Sequence, residues 1–325
     1  MIRLLLPLVL AVVCGFSATS VQAATLPGIP EFIDEMVAKH QFKRNELEKL
    51  FARAQYRPEV IEAITRPATF KPWPEYRAAF VNRKRVKFGL EFWNKYRKTL
   101  RRAELKYGVP QEIIVAVIGV ETIYGRNAGS FLVMDSLTTL AFDYPRRAEF
   151  FRSELENYLL LAREQEFNLL AIKGSYAGAM GIPQFMPSSY RNYALDFNGN
   201  HKVDLLREGS DAIGSVANYL KGYGWINGEP VAVRTPVTDE TCIGEIKSSR
   251  SMAEWAAVGI APDVQLAQDQ SARLIDFTVE EGKEFWLGFN NFEVITRYNN
   301  SDFYAMSVFQ LAEALKNARK KGRTN

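Results

Sequence analysis

Gln111-Glu112-Ile113-Ile114-Val115-Ala116-Val117-Ile118-Gly119-Val120-Glu121 is the stretch that organises this chain. Between its two ends it is apolar on every helical face, the pattern of a helix buried all round rather than of a surface helix with one wet side. It ends in a carboxylate, Glu121, followed by Thr122-Ile123-Tyr124-Gly125-Arg126. An unpartnered buried carboxylate keeps its proton in preference to paying the cost of desolvating a charge. A carboxylic acid still protonated near neutral pH can serve as a general acid. Pairing with Arg126, or capping of its own helix end, is the bland alternative for Glu121.

The surroundings favour chemistry. Gly119 thins the helix beside the carboxyl, Gly125 stops it, and Tyr124 offers a flat face on which a sugar could stack. Further on, Gly174-Ser175-Tyr176-Ala177-Gly178-Ala179-Met180-Gly181-Ile182-Pro183-Gln184-Phe185-Met186-Pro187 is rich in glycine and proline, which lets backbone approach a ligand closely. Gln184 within it can both donate and accept hydrogen bonds.

The chain has 325 residues, 47% hydrophobic and 24% charged, an ordinary globular composition. It opens with Arg3, an apolar run from Leu4 to Phe16, and small residues at Val21 and Ala23. The run is shorter than the roughly 20 residues a membrane span needs, so residues 1–23 are expected to be an export signal cleaved after Ala23. A soluble periplasmic protein is the expectation. Lipid anchoring through Cys14 is the lesser alternative, because Val13 is a poor residue to precede a lipidated cysteine. Loss of the signal leaves Cys242 alone, so no internal disulfide is expected.

Without Arg3 the balance is 40 basic against 37 acidic residues, but the charge is clustered. Arg83, Lys84, Arg85, Lys87, Lys95, Arg97, Lys98, Arg101, Arg102 and Lys106 fall within one short segment, and Lys316, Arg319, Lys320, Lys321 and Arg323 close the chain. Such runs are ordinarily solvated helix faces, and their functional reading is attraction to an anionic polymer. No zinc-finger spacing, phosphate loop or dinucleotide fingerprint accompanies them, so nucleic acid is not an expected partner.

Periodicity predicts short helices from Ile29 to about Ala63, then an aromatic, proline-broken turn over residues 64–76. Phe88, Phe92, Tyr96 and Leu100 predict one long basic helix. Helices are expected over Ser136–Phe142 and Arg147–Glu166, and from an N-cap at Ser210 to Tyr219, which Gly222 and Gly224 terminate. Beyond Trp225 the texture turns to strands: Val231 and Val233, Arg273–Val279, and Glu284–Thr296 with Asn290-Asn291 as a turn. A helix over Ser301–Arg319 closes the chain.

Several motifs in fixed order then carry a specific resemblance. Gly119-Val120-Glu121-Thr122-Ile123-Tyr124-Gly125, the segment Ser175 to Ser188, Asp211-Ala212-Ile213-Gly214-Ser215-Val216-Ala217-Asn218-Tyr219, Tyr223-Gly224-Trp225 and Ile295-Thr296-Arg297-Tyr298-Asn299 together resemble the lytic murein transglycosylase B family, from about Ile29 to the end. The resemblance implies an α+β, mainly α fold: a lysozyme-like helical core at 109–225, an N-terminal helical domain at 24–108, a small inserted antiparallel β domain at 226–296, and a C-terminal helix at 297–325 returning to the core. It implies cleavage of the β-1,4 bond between N-acetylmuramic acid and N-acetylglucosamine in peptidoglycan, with Glu121 as sole acid and base and a 1,6-anhydro product.

By the same resemblance Ser175 and Gln184 bind sugar or the carboxylate, and Arg146 and Arg147 meet the peptide stem or lactyl group. Tyr76, Tyr219, Tyr298, Asn299 and Tyr304 line the saccharide groove. Asp196-Phe197-Asn198-Gly199-Asn200-His201-Lys202-Val203-Asp204 resembles the family's calcium loop, with Asp196, Asn198, Asn200, the backbone carbonyl of Lys202, and Asp204 as oxygen donors. His201 stands where that loop has glycine, and Arg207 stands at the place of the bidentate acid, so a solvated turn is the competing reading. No cofactor is required by the chemistry; calcium enters only as a structural ion. Glycan strands are the expected partner of a monomeric enzyme, with cell-wall synthesis proteins as candidate companions. The rival readings are a hydrolytic muramidase and a non-catalytic scaffold that binds peptidoglycan or calcium.

Overall fold

A computed structural model describes residues 26–66, 71–237 and 248–324. The expected signal with Cys14, and Cys242, lie outside the described residues. The chain divides into two compact units at Tyr56/Arg57. In the first, α1 (Ile29–His40) and α2 (Arg44–Arg53) bury Phe32, Ile33 and Met36 on one helix and Leu47 and Phe51 on the other. Phe32 and Phe51 meet edge to face at 6.0 Å.

The second unit is helical at its centre. Proline in the first turn starts α3 (Pro58–Thr65) and α4 (Trp73–Phe80), where the missing N–H costs nothing. The basic segment forms two helices, α5 (Arg83–Lys95) and α6 (Arg97–Tyr107), rather than the single one expected. Tyr96, at φ −106° and ψ 22°, is the joint. Gly108 ends α6 in the left-handed conformation.

Next comes α7 (Gln111–Thr122), and every residue from Ile113 to Val120 is buried. It packs against α5 and α6, and also against α11 (Gly209–Gly222) and α14 (Asp302–Thr324). A helix without a polar face must be enclosed, and these neighbours enclose it. Beside this group, β1 (Phe131–Leu132) leads into α8 (Val133–Asp143), which packs on α9 (Ala148–Gln165). Arg57, just before α3, forms an ion pair at 2.7 Å with the buried Asp135 of α8. β1 pairs antiparallel with β2 (Lys173–Gly174), and α10 (Pro187–Tyr193) packs on α9. Ser210 is not the cap of α11: Glu208 holds that position, and the helix begins two residues earlier than expected.

The β texture resolves into β3 (Ala232–Thr235), β4 (Ser249–Ser251), β5 (Ser271–Val279) and β6 (Gly282–Gly288), an antiparallel sheet in the order β3-β6-β5-β4. With α12 (Met252–Ala257) it encloses a core of Met252, Trp255, Ile260, Leu274, Phe285, Leu287 and Phe289. The expected strand over Glu284–Thr296 is corrected here, because β6 stops at Gly288 and Asn290–Thr296 is a helix, α13. Asn291 is wholly buried, donating from Nδ2 to the carbonyls of Ile226 and Glu229 and accepting from Ile226 N, each at 2.9 Å. The asparagine pair read as a turn signal is thus an anchor for a helix. Overall this is the expected mainly helical α+β class with small antiparallel sheets.

A second correction concerns Tyr124, which is only 6% exposed and offers no open face to a sugar. Its ring fills the slot between Gly89 of α5 and Gly119 of α7, and a Cβ added at Gly119 would stand 2.5 Å from its hydroxyl. That hydroxyl is buried and has no hydrogen-bond partner. Gly119→Ala is therefore expected to destabilise: overpacking costs about 1–3 kcal/mol, against a helix-propensity gain of about 1 kcal/mol. Tyr124→Phe alone removes an unsatisfied polar atom and is expected to be neutral or stabilising. Combined with Gly119→Ala it should recover part of the loss; urea unfolding of the four-member cycle measures both, and additive behaviour would contradict the packing account.

Candidate active site

Glu121 occupies the last turn of α7, and the chain turns sharply just after it. Ile123, Tyr124 and Gly125 are all left-handed, at φ 51°, 61° and 82°. For a β-branched residue such as Ile123 this is a true outlier, of the kind that persists only where surrounding structure enforces it. The enforcement is visible. Thr122 Oγ1 donates to the carbonyl of Ile182 at 2.7 Å and accepts from Gly125 N at 2.9 Å, fastening the helix end to the Gly-rich segment. That segment folds back on itself, with Met180 and Phe185 exchanging both backbone hydrogen bonds, at 2.8 and 3.1 Å. Gln184 within it is left-handed too, at φ 53°.

Tyrosines surround the carboxylate. From the first turn of α14, Tyr304 donates its phenol hydrogen to Glu121 Oε1 at 2.5 Å. Tyr298 lies nearly parallel to Tyr304, with ring centres 6.3 Å apart, and donates to the carbonyl of Pro183 at 2.5 Å. Tyr219 of α11 sits 4.8 Å from Tyr298 and donates to Arg297 O at 2.7 Å. Burial raises the pKa of Tyr76 of α4, and the charge of Glu121 is close enough to add to that rise. One cation faces the group: Arg85 of α5 donates to the carbonyls of Gly119 and Val120 at the end of α7.

Burial is the largest influence on Glu121 and raises its pKa to about 7, while the Tyr304 hydrogen bond and then the Arg85 charge act in the opposite direction. Among the described residues, no carboxylate contributes to this balance. Tyr304 and Tyr298 are pushed well above the usual phenol value, first by burial and then by the charge of Glu121. The tyrosines therefore stay neutral donors while Glu121 can exist in either protonation state near neutral pH.

The structure thus gathers Glu121, Tyr76, Tyr219, Tyr298 and Tyr304. Gln184 stands on the adjoining hairpin, with Nε2 donating to Ala128 O and Gly181 O, both at 3.0 Å, which leaves its amide oxygen as the group able to receive a hydroxyl. Ser175 starts that hairpin, and its Oγ accepts from Ala179 N at 3.1 Å. Asn299 is exposed immediately after Tyr298. Arg146 and Arg147 lie apart from this group, exposed in a turn between α8 and α9, and Arg147 covers the Phe150 ring at 4.2 Å. Arg85 and Thr122 went unread in the sequence. Arg85 was hidden in a run of basic residues, and the position after Glu121 gave Thr122 no signal beyond its neighbourhood.

The 196–204 loop is closed by its own amides. Asp196 accepts from the backbone N–H of Gly199 at 2.7 Å and of His201 at 2.7 Å, which lowers its pKa against the effect of desolvation. Asn198 and Asn200 each accept from the amide two residues on, and Asp204 from Leu206 and Arg207. Asp211 of α11, absent from the predicted set, accepts from Phe197, Asn198 and Asp204 N–H, and burial first, with the charge of Asp196 adding to it, raises its pKa against those bonds. The donor set is of hard oxygens, as calcium requires. Among the described residues, however, no three acidic, histidine or cysteine side chains converge closely enough to hold a metal.

The chain matches the family model described as the transglycosylase SLT domain over residues 25–313. It is 44% identical over 306 residues to the membrane-bound lytic murein transglycosylase B of Escherichia coli (strain K12), covering 91% of this chain and 84% of the relative. Among solved structures, the soluble lytic transglycosylase SltB1 of Pseudomonas aeruginosa superposes with a TM-score of 0.86 at 47% identity, over 90% of this chain and 100% of that one. The Escherichia coli lytic transglycosylase Slt35 in complex with calcium gives 0.85 at 44% identity, over 91% of this chain and 94% of that one.

Two outcomes follow from the Glu121 environment. Its folded pKa of about 7 lies above the ordinary 4.5, so across that interval the folded state holds a proton that the unfolded chain has released. Stability from this group is thus full below the ordinary value and is lost as pH rises towards the folded one. Glu121→Gln should remove that slope, and its thermal midpoint should exceed that of wild type more at pH 8 than at pH 5. In a carboxyl-resolved NMR titration, Tyr304→Phe and Arg85→Met should each move Glu121 to higher pKa, because each removes a group that favours the charged form; an unmoved titration would refute the assignment.

Proposed function

The chain belongs to the transglycosylase SLT domain family and is a lytic transglycosylase acting on murein, and from that premise we propose that Glu121 alone performs both proton transfers and that the product carries a 1,6-anhydromuramyl end. The observation that carries this reading is the single half-buried carboxylate with a pKa near 7, surrounded by phenols and one guanidinium rather than by a second acid. Ordinary glycosidases set two carboxylates about the scissile bond, one as acid and one as nucleophile or water base. The buried acids among the described residues are engaged elsewhere: Asp135 by Arg57, Glu154 by the N–H and hydroxyl of Ser188, and Asp211 by the backbone N–H groups of Phe197, Asn198 and Asp204.

The steps balance without water. Protonated Glu121 gives its proton to the glycosidic oxygen as the bond to C1 breaks, and the substrate's own acetamide carbonyl oxygen stabilises the positive charge growing on C1. Glu121, now a carboxylate, takes the proton of the muramyl C6 hydroxyl while that oxygen closes on C1. Tyr304 holds the carboxylate in register through both half-reactions, and its hydrogen bond is strongest when Glu121 is charged, the state between them. Tyr76 and Tyr298 offer rings to the glycan, and Ser175, the Gln184 amide oxygen and Asn299 offer polar contacts. Arg146 and Arg147, set apart from the carboxylate, suit the anionic peptide stem.

Export to the periplasm accords with the murein substrate, and the Escherichia coli relative carries a membrane-bound description. Among the described residues no helix is long and apolar enough to cross a membrane. The four-part division into 24–108, 109–225, 226–296 and 297–325 remains the proposed functional organisation, with the sheet as an insert between helices of the catalytic part. For the 196–204 loop we propose a structural calcium ion held by Asp196, Asn198, Asn200, Asp204 and the Lys202 carbonyl. The calcium complex of the Slt35 neighbour supports that reading.

Digestion of purified sacculi by wild type should release muropeptides lighter by one water than their reducing counterparts. Reducing muramic ends in their place would assign the chain to the hydrolytic muramidases. Glu121→Gln should lower the rate by at least about 10³-fold, the scale of general acid–base catalysis, with its fold intact by circular dichroism. Rates equal to wild type would remove Glu121 from the mechanism. Saturating calcium should raise the thermal midpoint of wild type by mass action, and Asp196→Ala should abolish that rise; a calcium-insensitive wild type would leave the loop as a self-closed turn.

A further inference from the structure

Two concavities of the second unit lie away from Glu121, where α5, α6 and the end of α14 meet. One, of about 700 Å³, is lined by Asn94, Arg97, Lys98, Arg101, Gln111 and Arg319 among others, and no acidic side chain lines it. Among the described residues Arg97, Lys98 and Arg101 have no ion-pair partner, although salt bridges occur elsewhere on this surface. A neighbouring concavity of about 400 Å³ shares Arg101, Gln111 and Arg319 and adds Lys320, Lys316 and Leu105. Its two acids are already engaged, Glu104 by Gln111 and Glu112 by Lys316.

Leu105 supplies the second, independent observation. It is 76% exposed, the most open large apolar side chain among the described residues, and it stands on the basic face of α6 between Arg101, Arg102 and Lys106. Beside Arg101 it places an open apolar group at the rim of the second concavity. Basic side chains with an apolar one projecting among them are the composition of a surface that settles on anionic lipid, the cations meeting phosphate and the apolar group entering the acyl boundary.

Position separates this surface from the chemistry. Tyr304, which touches Glu121, lies in the first turn of α14, and Arg319 lies fifteen residues further along the same helix, about 22 Å away at 1.5 Å per residue. A glycan strand seated at Glu121 has no need of cations there. We propose that the basic concavity of α5, α6 and α14, with Leu105 at its rim, is a docking site for the phosphate headgroups of an anionic lipid surface, distinct from the murein site.

The test is co-sedimentation with vesicles of the protein lacking residues 1–23, the segment expected to be removed on export. Wild type should pellet with vesicles of phosphatidylglycerol and phosphatidylcholine, not with phosphatidylcholine alone, and binding should weaken from 50 to about 300 mM salt as screening shortens. Arg97→Glu/Lys98→Glu/Arg101→Glu should lower the partition coefficient by at least on the order of a hundredfold. Leu105→Ser should lower it by up to about tenfold. Both variants should keep the wild-type thermal midpoint and the wild-type rate on sacculi, since neither touches the catalytic residues. Four results would overturn the proposal: no vesicle binding by wild type; equal binding to neutral vesicles; a triple variant that binds as wild type does; or protection of the site by inorganic phosphate with no vesicle binding, which would make it a free-anion site. Loss of sacculus binding in the triple variant, with vesicle binding unchanged, would assign the patch to the anionic wall polymer instead.

Discussion

Everything at the active end of this molecule depends on a carboxylate being placed where a helix without a polar face comes to its end. α7 is buried from Ile113 to Val120, and the same packing draws Glu121, in its last turn, half out of water. Burial alone would hold the proton too tightly for it to be given away and taken back. Tyr304 and Arg85 pull the other way, one by a hydrogen bond and one by charge, and the result lies near 7. Neither is local in sequence: Tyr304 comes from a helix 183 positions away. The tuning of one acid therefore requires α5, α7 and α14 to be packed together, which is what the all-apolar helix compels.

The same packing stores strain close to the reacting atoms. Three successive left-handed residues after Thr122, two of them non-glycine, are an expensive way to end a helix. They permit Tyr124 to fold back into the slot made by Gly89 and Gly119, and they free Thr122 to grip Ile182. A gentler helix end would carry the chain past the Gly-rich hairpin instead of fastening to it. Gln184, itself left-handed on that hairpin, is then fixed by two backbone carbonyls. The glycines here serve close approach between protein elements, and only through that the shape presented to a ligand.

Much of this was readable from residues in order. The buried helix, the acid at its end, the Gly-rich segment and the change of texture after Trp225 all leave local patterns, and local patterns survive without tertiary information. What failed did so where a residue's partner is distant. Asn290-Asn291 has the composition of a turn, but Asn291 finds three backbone partners at Ile226 and Glu229, and that buried network makes it the start of α13. Tyr124 has the composition of a sugar platform, but two glycines on separate helices leave a slot of its size. The break at Tyr96 is likewise unmarked by glycine or proline. Arg85 could not be told from nine other basic residues in its segment, because only the fold aims it at the end of α7.

Glu121 also differs from the buried acids among the described residues in how its carboxylate is supplied with donors. Asp135 receives the guanidinium of Arg57, through Nε at 2.9 Å and through a second nitrogen at 2.7 Å. Glu154 receives an amide and a hydroxyl from Ser188. Asp211 receives three backbone amides. Each of these carboxylates is supplied with at least two donors fixed by secondary structure, and in each the bonds hold the fold together, so changing protonation state would unpick packing. Glu121 receives a single phenol hydrogen, from Tyr304. An acid supplied with one donor where its peers have two or three is poorly solvated as an anion and poorly committed as a structural link. With so few donors to favour the anion, burial carries the pKa of Glu121 up to about 7, which leaves its proton exchangeable at neutral pH.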